Sequence, residues 1–148
     1  MTCRIAQTDK AYYELLVKYN RLLQQRNRIL KEIRDNNGDK VQLNLWNNEL
    51  SASAARIIKK RLAALEELLV IASGIYASIA GGSESMLINY ALKTSNDFIL
   101  QQSDKSENEW QEFYLKELHE RQALDILRGI QALARTVTIY SFMSAASC

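Results

Sequence analysis

From Ile58 to Ile79 the residues Ile58, Leu62, Leu65, Leu69, Ala72, Tyr76 and Ile79 recur at alternating steps of four and three. That spacing keeps one stripe of a helix facing a partner helix along its length. No proline occurs anywhere in the chain, so nothing sharply breaks such a helix. Upstream, Leu43, Trp46 and Leu50 continue an apolar face less regularly, which allows the helix to begin near Leu43. Gly81-Gly82 supplies a stop, because glycine takes positive φ without steric cost.

A seam this long needs a cover, and the preceding stretch offers one. A helix is expected from about Ala11 to Arg34, with Thr8 or Asp9 as its N-cap. Tyr12, Leu16, Tyr19, Leu23, Leu30 and Ile33 form its heptad face, Leu15, Leu22 and Ile29 widen it, and Arg26 interrupts it. Asn36-Asn37-Gly38-Asp39 is a turn signal. Two long helices joined by so short a turn must run antiparallel, seam to seam. At ~25 residues the first would be ~37 Å long, an arm rather than a ball. The expected fold class is mainly α: an antiparallel helical hairpin, or coiled-coil arm, with a short β element and a third helix.

The β element follows the glycines. Met86, Ile88, Tyr90 and Leu92 alternate with Leu87, Asn89 and Ala91, which reads as a half-buried strand. Lys93 to Lys105 is polar and loop-like around the island Phe98-Ile99-Leu100. Ser106 and Glu109 have capping-box spacing, predicting a third helix to about Arg128-Gly129 with Trp110, Phe113, Tyr114 and Leu118 as its apolar stripe. Ala134 to Met143 alternates like a strand. The expected segments are therefore 1–10, a start outside the arm; 11–82, the hairpin; 83–129, strand, loop and third helix; and 130–148, a tail.

Few chemistries are open to such a chain. It carries 148 residues and a formal charge of only +2, so overall charge selects no partner. Cys3 and Cys148 match no disulfide, zinc or redox spacing, and free thiols suit a cytoplasmic location. The longest apolar run, Leu68 to Ala80, is short for a membrane span, and no signal peptide is evident. His119, the single histidine, sits among charges with no nucleophile or metal-ligand spacing around it, and a solvated surface position is expected. No glycine lies in a phosphate-loop pattern. Taken alone, the chain reads as no enzyme, with no catalytic, cofactor or metal residues.

Basic residues are the stronger lead. Lys18, Arg21, Arg26, Arg28, Lys31 and Arg34 crowd the first helix against Glu14 and Glu32, and Lys59-Lys60-Arg61 adds a cluster on the second. Such charge on one arm suits phosphate contacts; an ordinary solvated helix face would look the same.

Y-N-R-L-L-Q-Q-R-N, from Tyr19 to Asn27, resembles the arm of RecF proteins, which act in bacterial DNA replication and repair. The likeness extends through I-A-Q-T-D-K-A-Y-Y-E-L-L upstream and L-N-L-W-N-N-E-L at Leu43 to Leu50. It continues in A-A-R-I-I-K-K-R-L at Ala54 to Leu62 and I-A-G-G-S-E-S-M-L-I-N-Y at Ile79 to Tyr90. H-E-R-Q-A-L-D-I-L-R-G, ending at Gly129, resembles the helix that returns to the family's ATPase head. The resemblance runs in family order from about Ile5 to Gly129.

What the resemblance implies is an arm without its engine. RecF proteins resemble ABC ATPases of the SMC and Rad50 type, in which ATP and Mg²⁺ drive dimerisation and duplex DNA binding, and which act with RecO and RecR at gaps. The head's phosphate loop lies before the matched region and its later motifs after it, so no residue here matches an ATP site and ATPase activity is not carried over. The candidate DNA contacts are Arg21, Arg26, Arg28, Lys31, Arg34, Lys59 and Lys60. Arg26, on the seam, has the alternative of bridging the helices. No membrane partner is implied.

Beyond R-G the family reads G-P-H-R-D-D, where this chain has A-R-T-V-T-I-Y-S-F-M-S-A-A from Ala134 to Ala146. Permissible codons for that stretch, read one nucleotide earlier, give G-P-H-R-D-D-L-L-F-Y-V-S-G, so an out-of-frame tail from about residue 130 is expected. Three functions follow from these readings: a DNA-contacting arm, a coiled-coil protein-interaction module, or the inert product of a broken gene.

Overall fold

The computed structural model describes residues 10–36, 38–80, 85–92, 105–131 and 137–144. The expected N-caps Thr8 and Asp9, the Gly81-Gly82 stop, both cysteines and the Phe98-Ile99-Leu100 island lie outside them. The fold is mainly helical. In chain order come α1 (Lys10–Arg34), α2 (Lys40–Ala80), β1 (Ser85–Leu92), α3 (Glu107–Glu120), α4 (Gln122–Arg128) and β2 (Val137–Ser144).

These elements fall into two compact units. One comprises 1–59 with 105–135 and the other 60–104 with 136–148. The reason is packing: α3 and α4 lie against α1 and the first half of α2.

In the first unit, α1 ends where its sequence runs out of helix formers. Asn36 takes φ 62°, and the Asp35 and Asn36 amides close the last turn on the Lys31 and Ile33 carbonyls. Gly38 is obligatory here, since a Cβ would stand 2.5 Å from the Ile33 backbone nitrogen. Asp39 then starts α2, its Oδ1 accepting from the Val41 amide at 2.8 Å, which satisfies one orphan donor of the first turn. Ile29, Leu30 and Leu43 form an apolar cluster closed by Ile33, Trp46 and Ile126. Leu30 facing Leu43, with Arg26 bonded to Asn47, shows an antiparallel α1–α2 pair. Further along, the buried side of α2 is made largely of small residues, Ser51, Ser53, Ala54 and Ala55.

α3 completes the bundle. The capping box is present: Ser106 Oγ accepts from the Glu109 amide and Glu109 accepts from the Ser106 amide. Trp110, Tyr114 and Leu118 are buried, while Phe113 is half-buried and stands edge-on to Trp110. The Arg56–Glu107 and Tyr19–Tyr114 contacts run α3 parallel to α1 and antiparallel to α2. The third helix is not continuous to Arg128 as expected; it breaks at Arg121. α4 closes at Gly129, whose φ of 64° and the Ile130-to-Asp125 and Gly129-to-Ile126 amide bonds make a Schellman end.

In the second unit, Leu62 and Leu65 of α2 are buried, whereas Val70, Ile71, Ile75 and Ile79 are exposed. By length and composition alone, one largely exposed 18-residue window of α2 is apolar enough to cross a membrane, longer than the Leu68–Ala80 run suggested. β1 and β2 pair antiparallel, from Ser85 opposite Ser144 to Leu92 opposite Val137. The part of the alternating tail from Val137 onward is thus strand-paired.

Candidate nucleic-acid interface

Helical spacing sorts the basic residues of α1. Tyr12, Tyr19, Leu22, Arg26, Ile29 and Leu30 are buried, and they share one side of the helix. Lys18, Arg21, Arg28, Lys31 and Arg34 are exposed and fall on the remainder. Arg28 pairs with Glu32 at 2.8 Å and Arg34 with Asp35 at 2.9 Å, both in solvent. The Asp35 carboxylate raises the Arg34 pKa further above its ordinary value. Pairs so exposed are screened by solvent, so they leave these cations open to competition from phosphate. Lys31 and Arg34 both reach Gly129, whose missing Cβ leaves room for the Arg34 guanidinium.

Lys59 is also exposed, its Nζ donating to the Lys105 carbonyl at 3.5 Å. Lys60 is half-buried and falls in the second unit. His119 is exposed, as expected of it.

Arg26 is the correction. It is completely buried and offers no surface to a duplex. Its Nε donates to Asn47 Oδ1 at 2.7 Å, and its Nη1 lies 3.0 Å from Asp125 Oδ2. Nη1 also donates to Gln131 Oε1 at 3.3 Å. Around that pair, Asn47 Nδ2 donates to Gln122 Oε1 and the Gln131 amide to Asn27 Oδ1. Gln131 Nε2 reaches the Tyr114 hydroxyl, which shares a hydrogen bond with Tyr19 at 2.7 Å. Burial, then the neighbouring Tyr19, push the Tyr114 pKa well above its ordinary value, so the phenol stays neutral. Bridging the helices, the alternative open to Arg26, is what the structure shows.

This polar core was missed in the sequence, though a signal existed. A cation on an apolar seam requires a buried anion, and Asp125 is the sole acidic residue after Glu120.

The fold and this surface define a helical arm module with a basic outer face. The chain is RecF-like. It is 32% identical over 124 residues to the DNA replication and repair protein RecF of Heliobacterium modesticaldum, covering 84% of this chain and 32% of that protein. RecF of Acaryochloris marina is 33% identical over 129 residues, 85% of this chain and 33% of that one. RecF of Agathobacter rectalis reaches 37% over 86 residues, 58% of this chain and 24% of that protein. Among solved structures, the recombination mediator protein RecF-ATP in the RecFOR pathway superposes with a TM-score of 0.77 at 25% identity, covering 91% of this chain and 35% of that one. RecF-ATPrS in the same pathway gives 0.72 at 25% identity over 93% and 37%. No protein-family model matches the chain. The chain spans about a third of the length of the curated relatives it matches over most of its own length.

Proposed function

We propose that this chain is the DNA-contacting arm of a RecF-like replication and repair protein, acting in the cytoplasm. The observation that carries it is the set of exposed cations Arg21, Arg28, Lys31 and Arg34 on α1, in a segment similar to RecF. Lys59 and Lys60 are weaker contributors, and Arg26 is none. ATP and Mg²⁺ chemistry, dimer formation, and work with RecO and RecR belong in this reading to the portion of the relatives that this chain does not match. A detached arm would hold duplex weakly, on the order of 10⁻⁴–10⁻⁶ M, as non-specific phosphate contacts do.

Fluorescence anisotropy with a short duplex at several salt concentrations tests this. Arg28→Ala with Lys31→Ala should weaken binding to all sequences alike and flatten the salt slope by about one unit per lost phosphate contact. Unchanged affinity and slope would reduce the set to a solvated face. The exposed apolar residues Val70, Ile71, Ile75 and Ile79 of α2 favour a second reading, a protein-interaction module, which predicts salt-insensitive association instead.

A further inference from the structure

α4 is packed inside out. Of its residues Gln122–Arg128, Leu124 and Leu127 are 42% and 74% exposed while Asp125 is fully buried. So short a helix has little stability of its own, and its position depends on what it touches. Ile126 alone of its side chains joins the Ile29–Leu30–Leu43 cluster. The other anchors are polar: Asp125 to Arg26 at 3.0 Å and Gln122 to Asn47 at 3.5 Å. Just past its end, the Gln131 amide bonds Asn27 at 2.9 Å and its side chain bonds Arg26 at 3.3 Å. α1, α2 and α3 have a separate apolar store in Tyr12, Tyr19, Leu50, Ile57, Trp110 and Leu118.

We propose that α4 with Ile130 and Gln131 is a latched segment, held by the buried Arg26–Asp125 pair and able to undock as one unit while α1, α2 and α3 stay folded. Energetics favour this division. A closed pair carries the desolvation cost of two buried ions, and opening returns both to water. Both leucines already face solvent, so the apolar surface uncovered by that step is confined to Ile126 and the cluster it closes. The joint is Arg121, where α4 begins without a side-chain cap and where undocking breaks the bond from the Asp125 amide to the Arg121 carbonyl at 2.9 Å.

Hydrogen exchange of the full chain, read by mass spectrometry, tests the latch. Amides of 122–131 should exchange faster than those of 110–118 in the parent. Asp125→Asn should accelerate 122–131 by at least about tenfold, because a buried guanidinium loses its counter-charge, and leave 110–118 within about twofold, as local opening requires. Gln131→Ala, which keeps the ion pair, should accelerate the same segment about threefold, the cost of a lost hydrogen bond. Exchange in 122–131 that neither variant changes would overturn the proposal. So would acceleration of all four helices together, or an Asp125→Asn chain that no longer folds, since either shows the pair holding the entire bundle.

Discussion

Two glycines close helix ends in the first unit for different physical reasons. Gly38 is required by space: a Cβ there would meet the Ile33 nitrogen at 2.5 Å and the Glu32 carbonyl carbon at 2.8 Å, and backbone cannot swing aside. Gly129 is required by conformation, at φ 64°, with only the flexible Arg34 and Lys31 side chains in the way. Gly129→Ala should therefore cost about 1–2 kcal/mol, the usual penalty for a left-handed L-residue, and Gly129→Asn less, since asparagine tolerates that region. Gly38→Ala should cost about 1–3 kcal/mol through overpacking, and asparagine there should be worse, not better. Urea unfolding of the four variants separates the two causes. If asparagine rescued both sites or neither, the distinction would be wrong.

At the scale of elements, the start of α3 can be tested by pH. Hydrogen bonds from the Ser106 amide and hydroxyl lower the Glu109 pKa below its ordinary value. A carboxylate lowered in the folded state contributes stability that is present above its unfolded pKa and is lost as pH falls through the folded one. Ser106→Ala should thus destabilise the chain by about 1 kcal/mol near neutrality. The gap between variant and parent should narrow as pH falls through the lowered folded pKa of Glu109; a constant gap would mean that the Ser106 hydroxyl does not act through that carboxylate. α2 offers a second test. Leu65→Ala, at a buried position, should cost about 2–5 kcal/mol, whereas Ile71→Ala, at an exposed one, should stay within about 0.5 kcal/mol. Equal losses would mean that Val70 to Ile79 are covered in solution.

These same elements show what a sequence can reveal. The capping box of α3 and the turn between α1 and α2 are written in local chemistry, and α1 lies within one residue of its expected bounds. The exposed arginines follow from helical period. The break at Arg121 has no glycine or proline to announce it. The tight side of α2, built on Ser51, Ser53, Ala54 and Ala55, carries no heptad of large residues. Arg26 marked itself by interrupting the seam, yet its partner stands 99 residues away, and only the fold brings Asp125 to it.

For the whole molecule, the division into two units makes the tail a test of independence. The tail of the second unit, residues 136–148, follows the bundle residues in sequence, and its β2 is the strand paired with β1. An out-of-frame origin for 130–148, expected from codon reading, is no bar to this pairing, because alternation of apolar and polar residues suffices for a ladder. The bundle owes its described contacts to residues up to Gln131: the apolar cluster, the capping box and the Arg26–Asp125 network. A chain ending after Gln131 should therefore keep Trp46 and Trp110 fluorescence and the exchange protection of 10–34, 40–59 and 107–128. Ser85–Leu92 should lose its protection, since a strand without a partner leaves its amides to water. Loss of tryptophan burial together with the strand would show that the first unit leans on the tail, and the two units would have to be treated as one.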